Sequence, residues 1–166
     1  LAVQRTTHPF AAHPIDEFRT ALQVSLTGAF QLMQAFVPGM VEHGWGRVIN
    51  FGGLSGQVGA QNRSSVSATK AGLAALSRTV ALEVAEFGVT VNTVSPGPIE
   101  TQRGEWTTTG DLSALSDLYE KRLQQIPVKR RGSVEEVVAL CEYLVSDQAG
   151  FMTGQNIQFN GGLLMV

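Results

Sequence analysis

The chain has 166 residues, 43% hydrophobic and 16% charged, with a net charge of −2. That is enough for one domain with a real core, and it fits an ordinary globular protein and not a disordered one. Nothing in the charge balance favours nucleic acid or an anionic membrane surface.

The start, Leu1 to His13, is irregular, with Pro9 and Pro14 breaking any helix. The chain opens at Leu1 without a methionine, as if something preceded it. Pro14 is suited to open a helix, with Asp16 and Glu17 at the positive end of its dipole. Phe18, Leu22, Leu26, Phe30, Met33, Phe36, Val37, Met40 and Val41 continue a wide apolar stripe. Pro38 within it is expected to kink or break this helix. Gly44-Trp45-Gly46 is a turn, and Arg47–Phe51 (RVINF) is the first clear strand. No apolar run approaches membrane-spanning length, and no signal-peptide pattern is present.

The next stretch organises the chain. After the glycines at 52, 53, 56 and 59, a long helix is predicted to carry Leu73, Leu76, Val80, Val84 and Phe87 on one face. Ala68, Gly72, Ala75 and Thr79 form a second stripe of small residues, so the helix is expected to be buried on both sides. Gly88 stops it. Val89–Val94 is a β-branched run typical of a buried parallel strand, ended by Pro96 and Gly97. Helix, strand, helix and strand in this order predict a right-handed crossover with helices on the sheet faces.

From Glu100 to Arg131 the pattern weakens. Trp106, three threonines and Gly110 suggest a mobile loop, and Leu112–Leu123 a short helix carrying Tyr119. Ser133 with Glu136 reads as a capping box for a helix bearing Val137, Leu140, Cys141 and Leu144. Asn156–Phe159 is a last strand before Gly161-Gly162. Cys141, the only cysteine, reads as a structural thiol, and a reducing cytoplasmic home is the default. His8, His13 and His43 lack metal-ligand spacing and are expected at the surface, with no metal bound. Lys129-Arg130-Arg131 is too small a basic cluster for nucleic acid. The glycines at 52–59 follow a strand and precede a helix, but their spacing is not a dinucleotide fingerprint. A tight loop is the better account of them.

RVINFGG, the block SATKAGLAALSRTVALEVAEFGVTVNTVSPGPIET, IPVKRRGSVEEVVALCEYLVSD and TGQNIQFNGG occur in this order. Together they resemble the short-chain dehydrogenase/reductase family, of the acyl-carrier-protein-reductase-like kind. The resemblance implies an α/β fold: the C-terminal portion of a Rossmann-like doubly wound parallel sheet, lacking the N-terminal dinucleotide-binding strands. It covers one domain, residues 1–166, truncated at its start, with Leu1 falling just after the fourth family strand.

The family's site resembles an Asn, Ser, Tyr and Lys set, with the lysine four residues after the tyrosine, one helical turn away. Lys70 matches. Ser25 stands at the asparagine position, Gly53 at the serine position and Val66 at the tyrosine position. A phenol whose proton is made available by a nearby ammonium serves as the acid in carbonyl reduction, and valine has no such proton. Ser55, Ser64, Ser65 and Ser67 lie nearby, but a serine is too weak an acid to substitute unaided; Tyr119 is the one other plausible phenol.

The resemblance also implies NAD or NADP as cofactor, touched by Lys70, Pro96, Gly97, Ile99 and Thr101. Lys70 reads equally as a ribose contact and as a solvated helix lysine, and the Pro96–Thr101 segment reads also as a strand-ending turn. The expected function is a truncated or degenerate family member, poor at catalysis alone and acting by association. The alternative is an active NAD(P)-dependent oxidoreductase of carbonyl or alcohol substrates. Homo-oligomers through the long helices, and strand pairing at the Arg47–Phe51 edge, are the expected partners.

Overall fold

The computed structural model describes residues 7–101 and 123–165. The loop expected around Trp106 and the helix expected to carry Tyr119 fall at 102–122, outside the described residues. After a tight turn at Phe10–Ala12, helix α1 (Ile15–Leu22) begins behind Pro14, with Asp16 and Glu17 in its first turn. It passes through a π-helical segment, Gln23–Thr27, into α2 (Gly28–His43).

Pro38 neither ends nor divides α2, contrary to expectation. Pro38 and Gln34, whose carbonyl it leaves without an N–H, both lie on the exposed side, where water can serve that carbonyl. The irregularity sits upstream instead, at the π segment. The continuous helical stretch Ile15–His43 is also long and apolar enough to cross a membrane by length and composition, which corrects the expectation that no run approaches that length. Its inward face, with Met33 and Val37 buried and Met40 and Val41 partly so, packs in the core.

Gly44, at φ +67°, caps α2, and β1 (Gly46–Phe51) follows. A short helix, α3 (Ser55–Val58), precedes α4 (Ser64–Val84). A tight turn at Ala85–Phe87 and Gly88, at φ +76°, lead into β2 (Val89–Pro96). Gly88 suits this position because the backbone is left-handed and crowded: a Cβ there would fall on the carbonyl oxygen of Gly44. Helix α5 (Val134–Val145), a tight turn at Asp147–Ala149 and β3 (Asn156–Phe159) follow.

The sheet has the order β1-β2-β3, all parallel, with Val48 opposite Val91 and Val94 opposite Ile157. Central β2 is buried along its length up to Ser95, so it tolerates apolar side chains on both faces. The core joins Met33 and Val37 of α2, Ala81 and Val84 of α4, and Val89 and Val91 of β2.

The buried line of α4 differs from the predicted one. Leu73 and Val84 are buried and Leu76 and Val80 half-buried, but Phe87 is exposed beyond the helix end. The rest of the line is small or polar: Ser65, Thr69, Ser77 and Ala81. Small side chains bring the helix close to the strands, and Ser77 is satisfied there. Its hydroxyl donates to the Leu73 carbonyl at 2.8 Å and accepts from the Asn50 amide at 2.9 Å. The predicted second stripe is exposed at Ala68, Ala75 and Thr79; only Gly72 packs, under Leu26.

The capping box of α5 forms as the spacing implies. Ser133 Oγ accepts from the Glu136 N–H at 3.2 Å, and the Glu136 carboxylate accepts from the Ser133 N–H at 2.8 Å.

Candidate functional site

The site lies where β1 and β2 end together, the edge at which open α/β sheets bind ligands. Gly52 continues the ladder, donating its N–H to the Val94 carbonyl at 2.8 Å. A Cβ on Gly52 would lie 2.5 Å from Ser95 Oγ, so only glycine lets the chain turn this close to β2. The Gly53 N–H donates to Ser95 Oγ at 3.0 Å, and the Ser95 hydroxyl donates to Asn156 Oδ1 at 2.7 Å. Ser95 is fully buried. A chain of polar contacts thus ties the loop after β1, through β2, to β3. Neither Ser95 nor Asn156 stands out in the sequence, because nothing local to either one indicates the other.

Lys70 projects from α4 into the same place. Its Nζ donates to the Phe51 carbonyl at 2.6 Å. Its pKa is pushed below the ordinary lysine value by burial. The cause is local packing: α3 abuts α4 so tightly that a Cβ on Gly56 would lie 2.8 Å from Lys70 Cβ. Lys70 is thus half-buried and bonded back to the end of β1, while the Nζ–Phe51 contact itself lies at the exposed surface. Gly53 faces it directly, since a Cβ at Gly53 would meet only Lys70 Cγ, at 3.8 Å. Val66 sits one turn before Lys70, half-buried, its carbonyl accepting from the Thr69 hydroxyl at 2.9 Å.

The structure thus sets Gly53 against Lys70, with Val66 one helical turn before Lys70. Ser25 lies in the π-helical segment, and no hydrogen bond links its side chain to the other three among the described residues. Of the neighbouring serines, Ser64 lies 3.4 Å from His13 Nδ1, and Ser67 Oγ is buried without a partner. None is bonded to Lys70.

The Pro96–Thr101 segment is held by the scaffold. The Gly97 N–H donates to the Phe159 carbonyl at 2.8 Å, and a Cβ on Gly97 would lie 2.9 Å from Asn160 Cα. Ile99 bridges to Gly132, and Thr101 is exposed. A cavity of about 230 Å³ lies beyond this segment, walled by Ile99, Ile126, Val128 and Phe159. Lys70 does not line it.

Two histidines correct the expectation of scattered surface residues. His8 Nε2 lies 3.1 Å from Glu17 Oε2, and the His8 ring meets His13 edge-on at 5.3 Å. His13 Nε2 is buried without a partner. The His8 N–H also donates to the Asn62 carbonyl at 3.1 Å, and this bond with the His13–Ser64 contact fastens the segment before α1 to the start of α4, at a sequence separation no local spacing reveals. His43 is exposed, as expected. No cluster suited to a metal ion occurs among the described residues. Arg130 pairs with Glu136 through both carboxylate oxygens, at 2.6 and 2.8 Å, and that pair holds the Glu136 carboxyl down to about 2. Cys141 is half-buried on α5, and burial pushes its thiol pKa up.

The chain matches the family described as Enoyl-(Acyl carrier protein) reductase over residues 1–164. It is 38% identical over 149 residues to an acetoacetyl-CoA reductase of Cupriavidus necator, covering 90% of this chain and 58% of the relative. It is 36% identical over 149 residues to a 3-oxoacyl-acyl-carrier-protein reductase of Buchnera aphidicola, with the same coverage of 90% and 58%. A D-beta-hydroxybutyrate dehydrogenase of Rhizobium meliloti is 34% identical over 154 residues, covering 90% of this chain and 60% of the relative. The chain therefore spans about three-fifths of the length of these relatives.

Proposed function

The chain belongs to the short-chain dehydrogenase/reductase family, and from that premise we propose that it is a catalytically impoverished oxidoreductase that acts chiefly by association. One observation carries this: the lysine faces a glycine and follows a valine, and its Nζ is bonded back to the Phe51 carbonyl. Carbonyl reduction leaves an alkoxide that must receive a proton. Removing the general acid costs about 10²–10⁴ in rate. Removing a donor to the developing oxyanion costs about 10²–10³. The two losses act on one unit and do not multiply.

NAD or NADP supplies hydride when bound. The described residues fit one end of it. Lys70 is placed to meet a ribose once released from Phe51, but the Gly97 N–H and the space beside Gly97 are taken up by Phe159 and Asn160. The proposed substrate class, by likeness to the relatives, is a 3-oxoacyl thioester.

A second reading, an active NAD(P)-dependent oxidoreductase, draws support from Lys70 itself. A desolvated ammonium is a better acid than a solvated one, and it is the proton-bearing side chain beside the open position at Gly53. Turnover of acetoacetyl-CoA with NADPH or NADH, together with nucleotide binding by fluorescence, separates the two readings. A rate at least ~10²-fold below the ordinary median near 10 s⁻¹ supports the first, and an ordinary rate overturns it.

Association would use two surfaces. Helix α2 leaves Phe30, Leu32 and Phe36 exposed, and β1 carries an edge that pairs with no strand among the described residues. A second copy against the long helices, or a strand at Gly46–Phe51, would cover them, in a cytoplasmic setting. Light scattering after size exclusion tests this. A monomer at micromolar concentration removes the proposal, and in an oligomer Phe36→Glu is expected to dissociate it if α2 is the contact.

A further inference from the structure

We propose that Lys70 is an amine nucleophile toward the ketone of a 3-oxoacyl compound, forming an imine in the space that Gly53 leaves open. The substrate class rests on the functional reading above; the reactivity rests on the geometry around Lys70.

Five features of that geometry converge. Nζ is fixed at the end of β1 by its 2.6 Å bond to the Phe51 carbonyl. A neutral amine donates one N–H there and keeps its lone pair. Among the described residues no ion pair involves Lys70: the pairs are His8–Glu17, Arg19–Asp16, Arg47–Asp147 and Arg130–Glu136. Burial against α3 disfavours the charged form, so more of the amine is free base near neutrality than for a surface lysine. The space facing it is unfilled: Gly53 has no side chain, and a Cβ there would contact only Lys70. The apolar Val66 supplies no phenol to compete for the carbonyl oxygen.

The step balances without an oxidant or reductant. The Nζ lone pair attacks the ketone carbon, and the carbonyl π electrons move to oxygen, which takes a proton. The resulting carbinolamine loses water. Amine plus ketone gives imine plus water, with both hydrogens leaving from nitrogen. A 3-oxoacyl ketone is favoured over a simple one because its imine tautomerises to an enamine conjugated with the neighbouring carbonyl.

The experiment uses the natural chain with ethyl acetoacetate and cyanoborohydride, which reduces an imine to a stable amine. No nicotinamide nucleotide is present, so the outcome is independent of hydride-transfer activity. Peptide mass spectrometry compares Lys70 with Lys129, an exposed lysine whose Nζ also donates to a carbonyl, that of Gln124, at 3.0 Å. At pH 7 the adduct is expected to form faster at Lys70 than at Lys129, since a depressed pKa leaves more of the amine as free base. The ratio should fall as pH approaches 10.5, where an ordinary lysine also loses its proton. Lys70→Met should leave Lys129 labelling unchanged. Equal labelling of Lys70 and Lys129 at pH 7, or no adduct at Lys70, overturns the proposal.

Discussion

Restoring the missing donors tests the catalytic account most directly. The perturbation is Gly53→Ser with Val66→Tyr. The structure has room for the first change: a Cβ at Gly53 meets only Lys70 Cγ, at 3.8 Å, an ordinary van der Waals distance. The same change one residue earlier does not fit, because a Cβ at Gly52 would lie 2.5 Å from Ser95 Oγ and 2.7 Å from Thr93 Cγ2. Gly52→Ser with Val66→Tyr is therefore the control. The phenol at position 66 would stand one turn before Lys70 on the same helix face, where a nearby ammonium eases its proton loss. Regaining the acid should raise kcat/KM for NADPH-dependent reduction of acetoacetyl-CoA by about 10²–10⁴. That is roughly 2.7–5.4 kcal/mol of transition-state stabilisation. The oxyanion donor alone adds little, because it acts only together with the acid. The assay follows NADPH absorbance for the natural chain, both single variants, the double variant and the control. A double variant that keeps its circular-dichroism spectrum and gains no rate refutes the reasoning: the absent donors would then not be what limits the reaction.

Three further outcomes follow from packing and charge. Gly88→Ala combines left-handed backbone strain with a collision on the Gly44 carbonyl, and should cost roughly 2–5 kcal/mol. Gly59→Ala, with φ +73° and nothing within 4 Å, carries only the strain, about 1–2 kcal/mol, so thermal melting should separate the two. Ser133→Ala removes the cap of α5 and should cost about 1 kcal/mol, read from urea unfolding. The Glu136 carboxyl is held at about 2 against an ordinary 4.5. A depressed carboxyl stabilises above its unfolded value and loses that contribution as pH falls. The melting difference between the natural chain and Glu136→Gln should thus be full above pH 4.5 and fade between 4.5 and about 2. A difference that persists below pH 2 would contradict the pairing with Arg130.

Local chemistry was readable where it is self-contained. The capping box needs only Ser133 and Glu136 at their spacing, and both hydrogen bonds form. Gly88 ends the helical region, and the β-branched run after it becomes the buried central strand. The long first helix was less transparent. Pro38 suggested a break that exposure made unnecessary, while the π segment around Ser25 left no mark in the pattern.

The amino-acid sequence by itself determined the α/β order of elements, the family, and which residues stand at Ser25, Gly53, Val66 and Lys70, because periodicity, caps and motif spacing are properties of neighbours along the chain. Tertiary structure alone decided where the small-residue line of α4 lies, that Ser95 and Asn156 anchor the loop at Gly53, that His8 and His13 meet, and that Lys70 turns its amine onto Phe51. Each of these depends on which backbone comes close enough to exclude water and offer a partner, and that distance is set by the packing of α4 against the sheet and of its neighbours against α4.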